Sequence, residues 1–262
     1  MLWKRVISGL LFLPVFYLVV WKLPPVYFAG LVAIAALIGQ FEFYRMVKNR
    51  GIQPFVVLGI VLGGLIALLL PGMNGIFFIT LSLFSVLIGR LFAPRPVEGA
   101  IEDISTTFLG IFYVALLFGF QMAIRMPPTP NGKQWIVFLY LVIWATDIGA
   151  YSIGIPFGKH KLFPKISPKK SVEGLLGGLV AAVAMALLCR VWFMPPMEIV
   201  EAAGLGVVLA GVGTIGDLVE SMLKRSTGVK DSGTIIPGHG GMLDRMDSML
   251  FAAPVLYYYI TR

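Results

Sequence analysis

The chain has 262 residues, of which 58% are hydrophobic and 13% charged, and its mean hydropathy is +0.89. Soluble domains are roughly 45–50% apolar and about 25% charged, so this composition excludes a soluble enzyme, a secreted disulfide scaffold and a disordered chain. The net charge of +8 indicates a topological bias or phosphate-bearing substrates rather than nucleic-acid binding. The single cysteine, Cys189, allows neither an internal disulfide nor a cysteine metal site.

Apolar runs long enough to cross a bilayer recur along the whole chain. Backbone polar groups in lipid must be paired within their own span, so we expect helices, and an all-α polytopic membrane protein with about nine transmembrane helices. We expect one domain over 1–262, with a membrane scaffold in 1–125 and the chemically important residues in 134–262. The first run lacks a small-residue cleavage site, which predicts a retained span rather than a signal peptide. The predicted spans are 6–21, 26–44, 54–71, 74–92, 104–124, 134–154, 174–194, 199–220 and 242–260.

The basic residues are divided unevenly between the two sides that this topology defines. Sixteen of the 21 Lys and Arg residues fall on the side of the N-terminus and five on the other side. Because basic loops stay in the cytoplasm, we expect a cytoplasmic N-terminus and an external C-terminus, in a bacterial cytoplasmic membrane. The basic segments 159–170 and 224–245 then share the cytoplasmic face.

The sixth predicted span contains a carboxylate, Asp147. A charge inside a membrane costs several kcal/mol unless it faces a cavity, a cation or a partner, so it indicates a functional site or a pair with a lysine of the next loop. That loop carries Lys169 and Lys170, which either attract a substrate or bind anionic lipid at the interface. Ser171 followed by Glu173 predicts the start of the next helix.

The densest group of polar residues lies near the C-terminus. Asp217, Ser221 and Lys224 are spaced i, i+4 and i+7, so they share one helix face. Asp244 and Asp247 are spaced i and i+3 on the last helix, and the stretch between the two helices is rich in glycine, which suits phosphate at a helix N-terminus. Carboxylates suit Mg²⁺ and basic side chains suit a polyphosphate. Together they indicate phosphoryl or nucleotidyl transfer.

The 27-residue run from Ser221 to Asp247 resembles the signature of the phosphatidate cytidylyltransferases, or CDP-diacylglycerol synthases. Residues 147–174 resemble the second conserved region of that family, with Ser171 where a threonine is expected. The resemblance implies the reaction of CTP with phosphatidate to give CDP-diacylglycerol and pyrophosphate. It also implies a Mg²⁺-dependent, homodimeric membrane enzyme and allows a second cation. The matching signature residues are Ser221, Leu223, Lys224, Arg225, Lys230, Asp231, Gly233, Ile236, Pro237, His239, Gly240, Gly241, Met242, Asp244, Arg245 and Asp247.

In this reaction a phosphate oxygen of phosphatidate, already anionic, attacks the α-phosphorus of CTP, so the protein supplies positioning and charge neutralisation. Alternatives stay open for three residues: His239 contacts phosphate or shapes the turn, Ser221 is a ligand or a helix-packing residue, and Asp231 is a ligand or orients Lys230. The assigned catalytic residues are Asp217, Lys224, Asp244 and Asp247, and the assigned metal ligands are Asp217, Asp244, Asp147 and Asp247. The assigned substrate-binding residues are Ser221, Arg225, Lys230, His239, Arg245, Lys169 and Lys170.

Three other functions are weighed against this one. A transporter would also place acids in its spans, but it predicts internal repeats and paired broken helices, which the sequence lacks. A lipid-alcohol kinase that uses CTP would transfer the γ-phosphoryl group and release CDP rather than pyrophosphate. A structural membrane scaffold would tolerate the change Asp244→Asn.

Overall fold

The computed structural model describes residues 14–70, 75–194, 196–235 and 240–262, and it is a bundle of long apolar helices. Five of these helices, numbered below as α1, α4, α5, α6 and α7, are long and apolar enough to cross a bilayer. Along the described chain come a π-helical turn Leu18–Lys22, then α1 Pro25–Lys48, α2 Val56–Leu69, α3 Gly75–Leu91, α4 Ala100–Arg125, α5 Gly132–Phe157, α6 Val172–Phe193, α7 Ile199–Ser226 and α8 Leu243–Ile260.

The predicted spans and the observed helices agree closely, because long apolar runs leave little choice of position. The spans 26–44 and 134–154, for example, lie within α1 and α5. The expected helical membrane protein is supported, but the expected count of about nine transmembrane helices is not confirmed, since five of the described helices are long and apolar enough to cross a bilayer. The apolar helices α2 and α3 have 14 and 17 residues, and α8 begins with charged side chains. The predicted first span, with its retained N-terminal segment, begins outside the described residues.

A buried polar contact connects three helices of the first half. The Gln40 amide nitrogen on α1 donates to the carbonyl of Gly59 on α2, at 3.0 Å, and to that of Gly110 on α4, at 3.1 Å. One turn further along α1, the Tyr44 hydroxyl donates to the carbonyl of Thr107 on α4 at 2.9 Å. The Gln40 side chain, which has a fixed length, thus sets the spacing of α1, α2 and α4 within an apolar interior.

Glycines allow the helices of the second half to approach closely. A Cβ atom added to Gly149 on α5 would lie 2.6 Å from the carbonyl oxygen of Gly177 on α6. A Cβ atom added to Gly216 on α7 would lie 2.6 Å from the carbonyl oxygen of Asp247 on α8. In a membrane the hydrophobic effect does not drive helices together, so their association depends on packing. Small residues at such contacts increase the packing area between the helices.

The loop between α5 and α6 folds as a short hairpin, which the all-α prediction overlooked. Strands β1 Lys161–Phe163 and β2 Ser167–Ser171 pair antiparallel. The predicted start of the next helix is confirmed, because the Ser171 hydroxyl caps α6 by accepting from the backbone N–H of Gly174 at 3.1 Å. Glu173 accepts from the backbone N–H of His160 and lies 2.6 Å from its Nδ1 atom. The hairpin is therefore anchored to the first turn of α6.

We expect Gly206→Ala to lower the stability of the bundle by about 1–3 kcal/mol, the usual cost of overpacking. The added Cβ atom would lie 3.0 Å from Cα of Val183 and 3.1 Å from the carbonyl oxygen of Ala182, both backbone atoms of α6. Gly204→Ala is the matched control, since it lies on the same helix with no atom within 4 Å of the added Cβ. Thermal unfolding in detergent measures both, and equal midpoints would contradict the expected contact.

Candidate active site

A cavity of about 680 Å³ opens between α5, α6, α7 and the hairpin. Asp147 of α5 and Asp217 of α7 line it, and so do Lys169 and Lys170 of β2. Ile155, Leu162 and Leu175 are among its apolar lining residues. The structure therefore brings together, in one cavity, residues from both of the polar segments that the sequence analysis singled out.

Carboxylates of three different helices interact near this cavity, of which Asp147 and Asp217 line it. Asp147 on α5, Asp217 on α7 and Asp247 on α8 all lie within electrostatic range of each other. The close contact of Gly216 with the backbone of Asp247 explains how α8 brings its carboxylate so near to α7. In the described parts of the chain, however, no three acidic, histidine or cysteine side chains are gathered tightly enough to hold a metal ion as they stand.

Asp217 is partly neutralised by a lysine of the hairpin. The Lys170 ammonium group forms an ion pair with the Asp217 carboxylate, and both side chains are about a quarter exposed. The Ser221 hydroxyl lies 3.4 Å from Oδ1 of Asp217, one turn along α7, so the predicted shared face exists for this pair. Lys170 and Arg245 both lie in electrostatic range of Asp147. The rim of the cavity thus combines acids with cations.

Lys224 is directed toward acids of its own bundle rather than toward open solvent. Its ammonium group forms an ion pair with Glu220, one turn earlier on α7, and a hydrogen bond of 2.6 Å with Oδ1 of Asp244 on α8. The lysine is 8% exposed and Glu220 is 1% exposed. Glu220 was missed by the sequence analysis, although an acid spaced i, i+4 from a lysine is a detectable signal.

Asp244 organises the loop that precedes α8. Besides the contact with Lys224, its Oδ2 atom accepts from the backbone N–H of Ser232 at 2.9 Å and from that of Gly241 at 2.8 Å. The Ser232 hydroxyl lies 2.9 Å from the same oxygen. Gly240 has a φ of +81°, and an added Cβ atom would lie 2.6 Å from Asp244 Oδ2, so this turn requires glycine. Both carboxylate oxygens of Asp244 are therefore bound by donors of the protein.

The remaining basic residues lie away from the main cavity. Arg225 donates to the carbonyl of Val229 at 3.1 Å and reaches that of Ile166 at 3.4 Å, so it connects the end of α7 to the hairpin region. Lys230 and Asp231 line a second cavity of about 300 Å³ together with Arg45 of α1. The predicted site residue His239 lies outside the described residues.

One acid from the first half of the chain also reaches this region and was not recognised as part of the site from the sequence. Glu42 on α1 is 2% exposed and accepts hydrogen bonds from the loop before α8. A detectable signal was present, because a charged residue inside an apolar run requires a partner.

Comparisons with known proteins show the family to which the chain belongs. A model of the cytidylyltransferase family matches residues 3–262. The chain belongs to the cytidylyltransferase family. A phosphatidate cytidylyltransferase of Synechocystis sp. is 35% identical over 262 residues, covering 89% of this chain and 88% of that protein. The phosphatidate cytidylyltransferase of Bacillus subtilis is 35% identical over 266 residues, covering 98% and 97%. A third, from Staphylococcus epidermidis, is 42% identical over 154 residues, covering 59% and 58%.

We expect Asp244→Asn to destabilise the protein more than Asp217→Asn. Asp244 holds a buried ammonium group and three loop donors, and hydrogen bonds to charged groups contribute about 1.5–3 kcal/mol each. Asp217 faces the cavity and has one ion pair. Thermal unfolding of both variants in detergent measures the difference. A midpoint for Asp244→Asn as high as that of Asp217→Asn would show that the loop does not depend on this carboxylate.

Proposed function

We propose that this chain is a membrane-bound phosphatidate cytidylyltransferase, which converts CTP and phosphatidate to CDP-diacylglycerol and pyrophosphate. The observation that carries the proposal is the cavity in which Asp147 and Asp217 lie opposite Lys169 and Lys170, within a chain that belongs to the cytidylyltransferase family. A reaction between two anionic substrates requires cationic side chains to offset the charge of the phosphates. The carboxylates beside them suit a divalent metal ion.

The reaction needs no strong base, because the attacking phosphate oxygen of phosphatidate is already ionised. That oxygen forms a bond to the α-phosphorus of CTP, the bond from the α-phosphorus to the bridging oxygen breaks, and pyrophosphate leaves with the electron pair. The protein holds the two substrates in line and offsets their repulsion. Lys169 and Lys170 at the cavity, with Arg245 nearby, supply positive charge for the phosphates. Lys230 and Arg225, outside the cavity lining, are proposed as further phosphate contacts.

The carboxylates at the cavity fit a divalent cation by their chemistry. Asp147, Asp217 and Asp247 are hard oxygen donors in mutual electrostatic range, and a cation would relieve their repulsion. When bound, Mg²⁺ neutralises charge on the triphosphate and on the leaving pyrophosphate. Asp244 is the weaker candidate of the proposed ligands, since its oxygens already accept hydrogen bonds from Lys224, Ser232 and Gly241. A second cation at these carboxylates is a further part of the proposal.

We further propose nine membrane spans, with the N-terminus and the cavity on the cytoplasmic side of a bacterial cytoplasmic membrane, and a homodimer. The uneven distribution of Lys and Arg, 16 residues against five, supports the spans and their orientation, whereas the homodimer is what the family resemblance implies. A cavity at this face receives CTP from the cytoplasm, and phosphatidate enters with its acyl chains in lipid. The apolar surfaces of the long helices, including the exposed Val180, Val191 and Ile34, suit contact with acyl chains.

The activity is tested with purified protein in detergent, labelled CTP, phosphatidate and Mg²⁺. We expect a CDP-lipid and pyrophosphate, loss of both products when Mg²⁺ is chelated, and at least a hundredfold loss for Asp217→Asn, on the order of the effect of removing one charge-stabilising group. Release of CDP together with a phosphorylated lipid would instead indicate a kinase. Absence of any nucleotide-dependent product from folded wild-type protein would refute the proposed function.

The topology is tested by labelling with a membrane-impermeant thiol reagent on intact cells. The native Cys189 is fully buried, so it gives little background. We expect Arg262→Cys, at the exposed C-terminus, to be labelled from outside, and Lys165→Cys, in the exposed turn of the hairpin, to be labelled only after lysis. Labelling of both or neither in intact cells would contradict an odd number of spans between the hairpin and the C-terminus.

A further inference from the structure

Glu42 is a buried carboxylate in the C-terminal part of an apolar helix. It lies on α1 and the residue is 2% exposed. The residues that line the 680 Å³ cavity are all distant from it in sequence. Burying an acid on a membrane helix costs free energy unless the carboxylate is fully hydrogen-bonded. The contacts of Glu42 therefore indicate its role.

Among the described residues, the hydrogen-bond donors to this carboxylate belong to the loop before α8 and to the first residue of that helix, about 200 residues further along the chain. Its Oε1 atom accepts from the backbone N–H of Met242 at 3.0 Å. Its Oε2 atom accepts from the backbone N–H of Leu243 at 3.1 Å and from the Ser232 hydroxyl at 3.2 Å. Met242 and Leu243 form the N-terminal end of α8, where unpaired N–H groups and the helix dipole favour a negative charge.

The loop fits against Glu42 without spare room. A Cβ atom added to Gly233 would lie 2.4 Å from Glu42 Oε1, and one added to Gly241 would lie 2.5 Å from Oε2. The Ser232 hydroxyl lies between two carboxylates, 3.2 Å from Glu42 and 2.9 Å from Asp244. The glycine-rich loop is thus held on one side by α1 and on the other by α8 itself.

On the basis of the cytidylyl transfer proposed above, we infer that Glu42 is a positioning residue of the active site, which holds the start of α8 so that Asp244 and Asp247 face their partners. Glu42 itself does not line the cavity. It acts through the backbone of 242–243, and a rotation or shift of this helix end moves both acids together. A misplacement of about 1 Å is enough to reduce a rate on the order of a hundredfold.

The chemistry of the side chain explains why glutamine cannot replace it. Three donors converge on two carboxylate oxygens, and in glutamine one of these oxygens becomes an NH₂ group that donates instead of accepting. Glu42→Gln therefore places one donor against another in a buried site. Glu42→Asp keeps the charge and both acceptors but is shorter by one methylene, so it should retain part of the function.

The test compares Glu42→Gln and Glu42→Asp with Glu98→Gln, an exposed glutamate of the same half of the chain. The first readout is kcat per folded protein, with folding checked by gel filtration and thermal unfolding. We expect kcat to fall at least about tenfold in Glu42→Gln and less in Glu42→Asp, with no change in Glu98→Gln. Folded Glu42→Gln with the kcat of the wild type would overturn the inference.

The second readout is hydrogen exchange, which separates local positioning from general destabilisation. We expect faster exchange in Glu42→Gln for peptides that cover 232–250 and unchanged exchange for peptides of α5 and α6. Faster exchange throughout the bundle would show a structural role only and overturn the inference. If Glu42→Gln does not fold, Glu42→Asp decides by the same two readouts.

A double variant completes the design. If Glu42 acts through the loop, adding Ser232→Ala to Glu42→Gln should lower kcat by less than the product of the two single effects, because both act on one unit. Multiplicative effects would mean that Glu42 acts elsewhere. A wild-type protein that makes no CDP-lipid refutes the proposed function itself, whereas an active wild type with a fully active Glu42→Gln refutes only the role of Glu42.

Discussion

The central constraint on this molecule is that carboxylates inside an apolar bundle must be neutralised or hydrogen-bonded. Breaking a buried ion pair by removing one partner costs about 3–5 kcal/mol, since the remaining charge has no water to solvate it. The buried ammonium of Lys224 forms ion pairs with both Glu220 and Asp244, and Asp244 also accepts hydrogen bonds from the loop before α8. Lys170 forms an ion pair with Asp217 at the edge of the cavity. The site is therefore also a structural element that joins α7, α8 and the hairpin.

Such a network can form only if the helices come closer than ordinary side chains allow. The glycine contacts between α5 and α6 and between α7 and α8 provide this closeness, as at Gly149 and Gly216. Both residues lie two positions or fewer from a cavity-lining aspartate, Asp147 and Asp217 respectively. The same turn of each helix thus supplies both the glycine at the helix contact and the aspartate at the cavity. Close packing of the helices and the position of the acids are therefore linked in the sequence.

Much of the fold could be predicted because apolar length is a local signal. The limits of α1 and α5 agree with the predicted spans within a few residues, and the cap at Ser171 was predicted from a local pattern. The count of membrane spans was less certain, since α2 and α3 are short and α8 starts with charged residues. The hairpin was missed, because two strands of three and five residues among lysines leave no clear alternation.

The site was predictable in its residue types but less so in its contacts. Helical spacing correctly placed Ser221 beside Asp217, and the cavity unites Asp147, Lys169 and Lys170 of one polar segment with Asp217 of the other. Spacing alone could not tell that Lys224 is directed to Glu220 and Asp244, since that depends on the packing of α8. The assigned metal and substrate roles stay predictions.

The end of α1 physically connects the predicted scaffold half of the chain to the half that carries the motifs, a division that stays a prediction. Glu42 accepts from the N-terminal end of α8, and Arg50, just beyond α1, donates to the carbonyl of Ser226, the last residue of α7, at 2.7 Å. An acid thus meets the positive end of one helix dipole and a base meets the negative end of another. Since α7 and α8 carry the acids of the site, the orientation of α1 helps to set the distance between them. Selection on the chemistry of the second half should therefore extend to this helix of the first half, even though it contributes no residue to the main cavity.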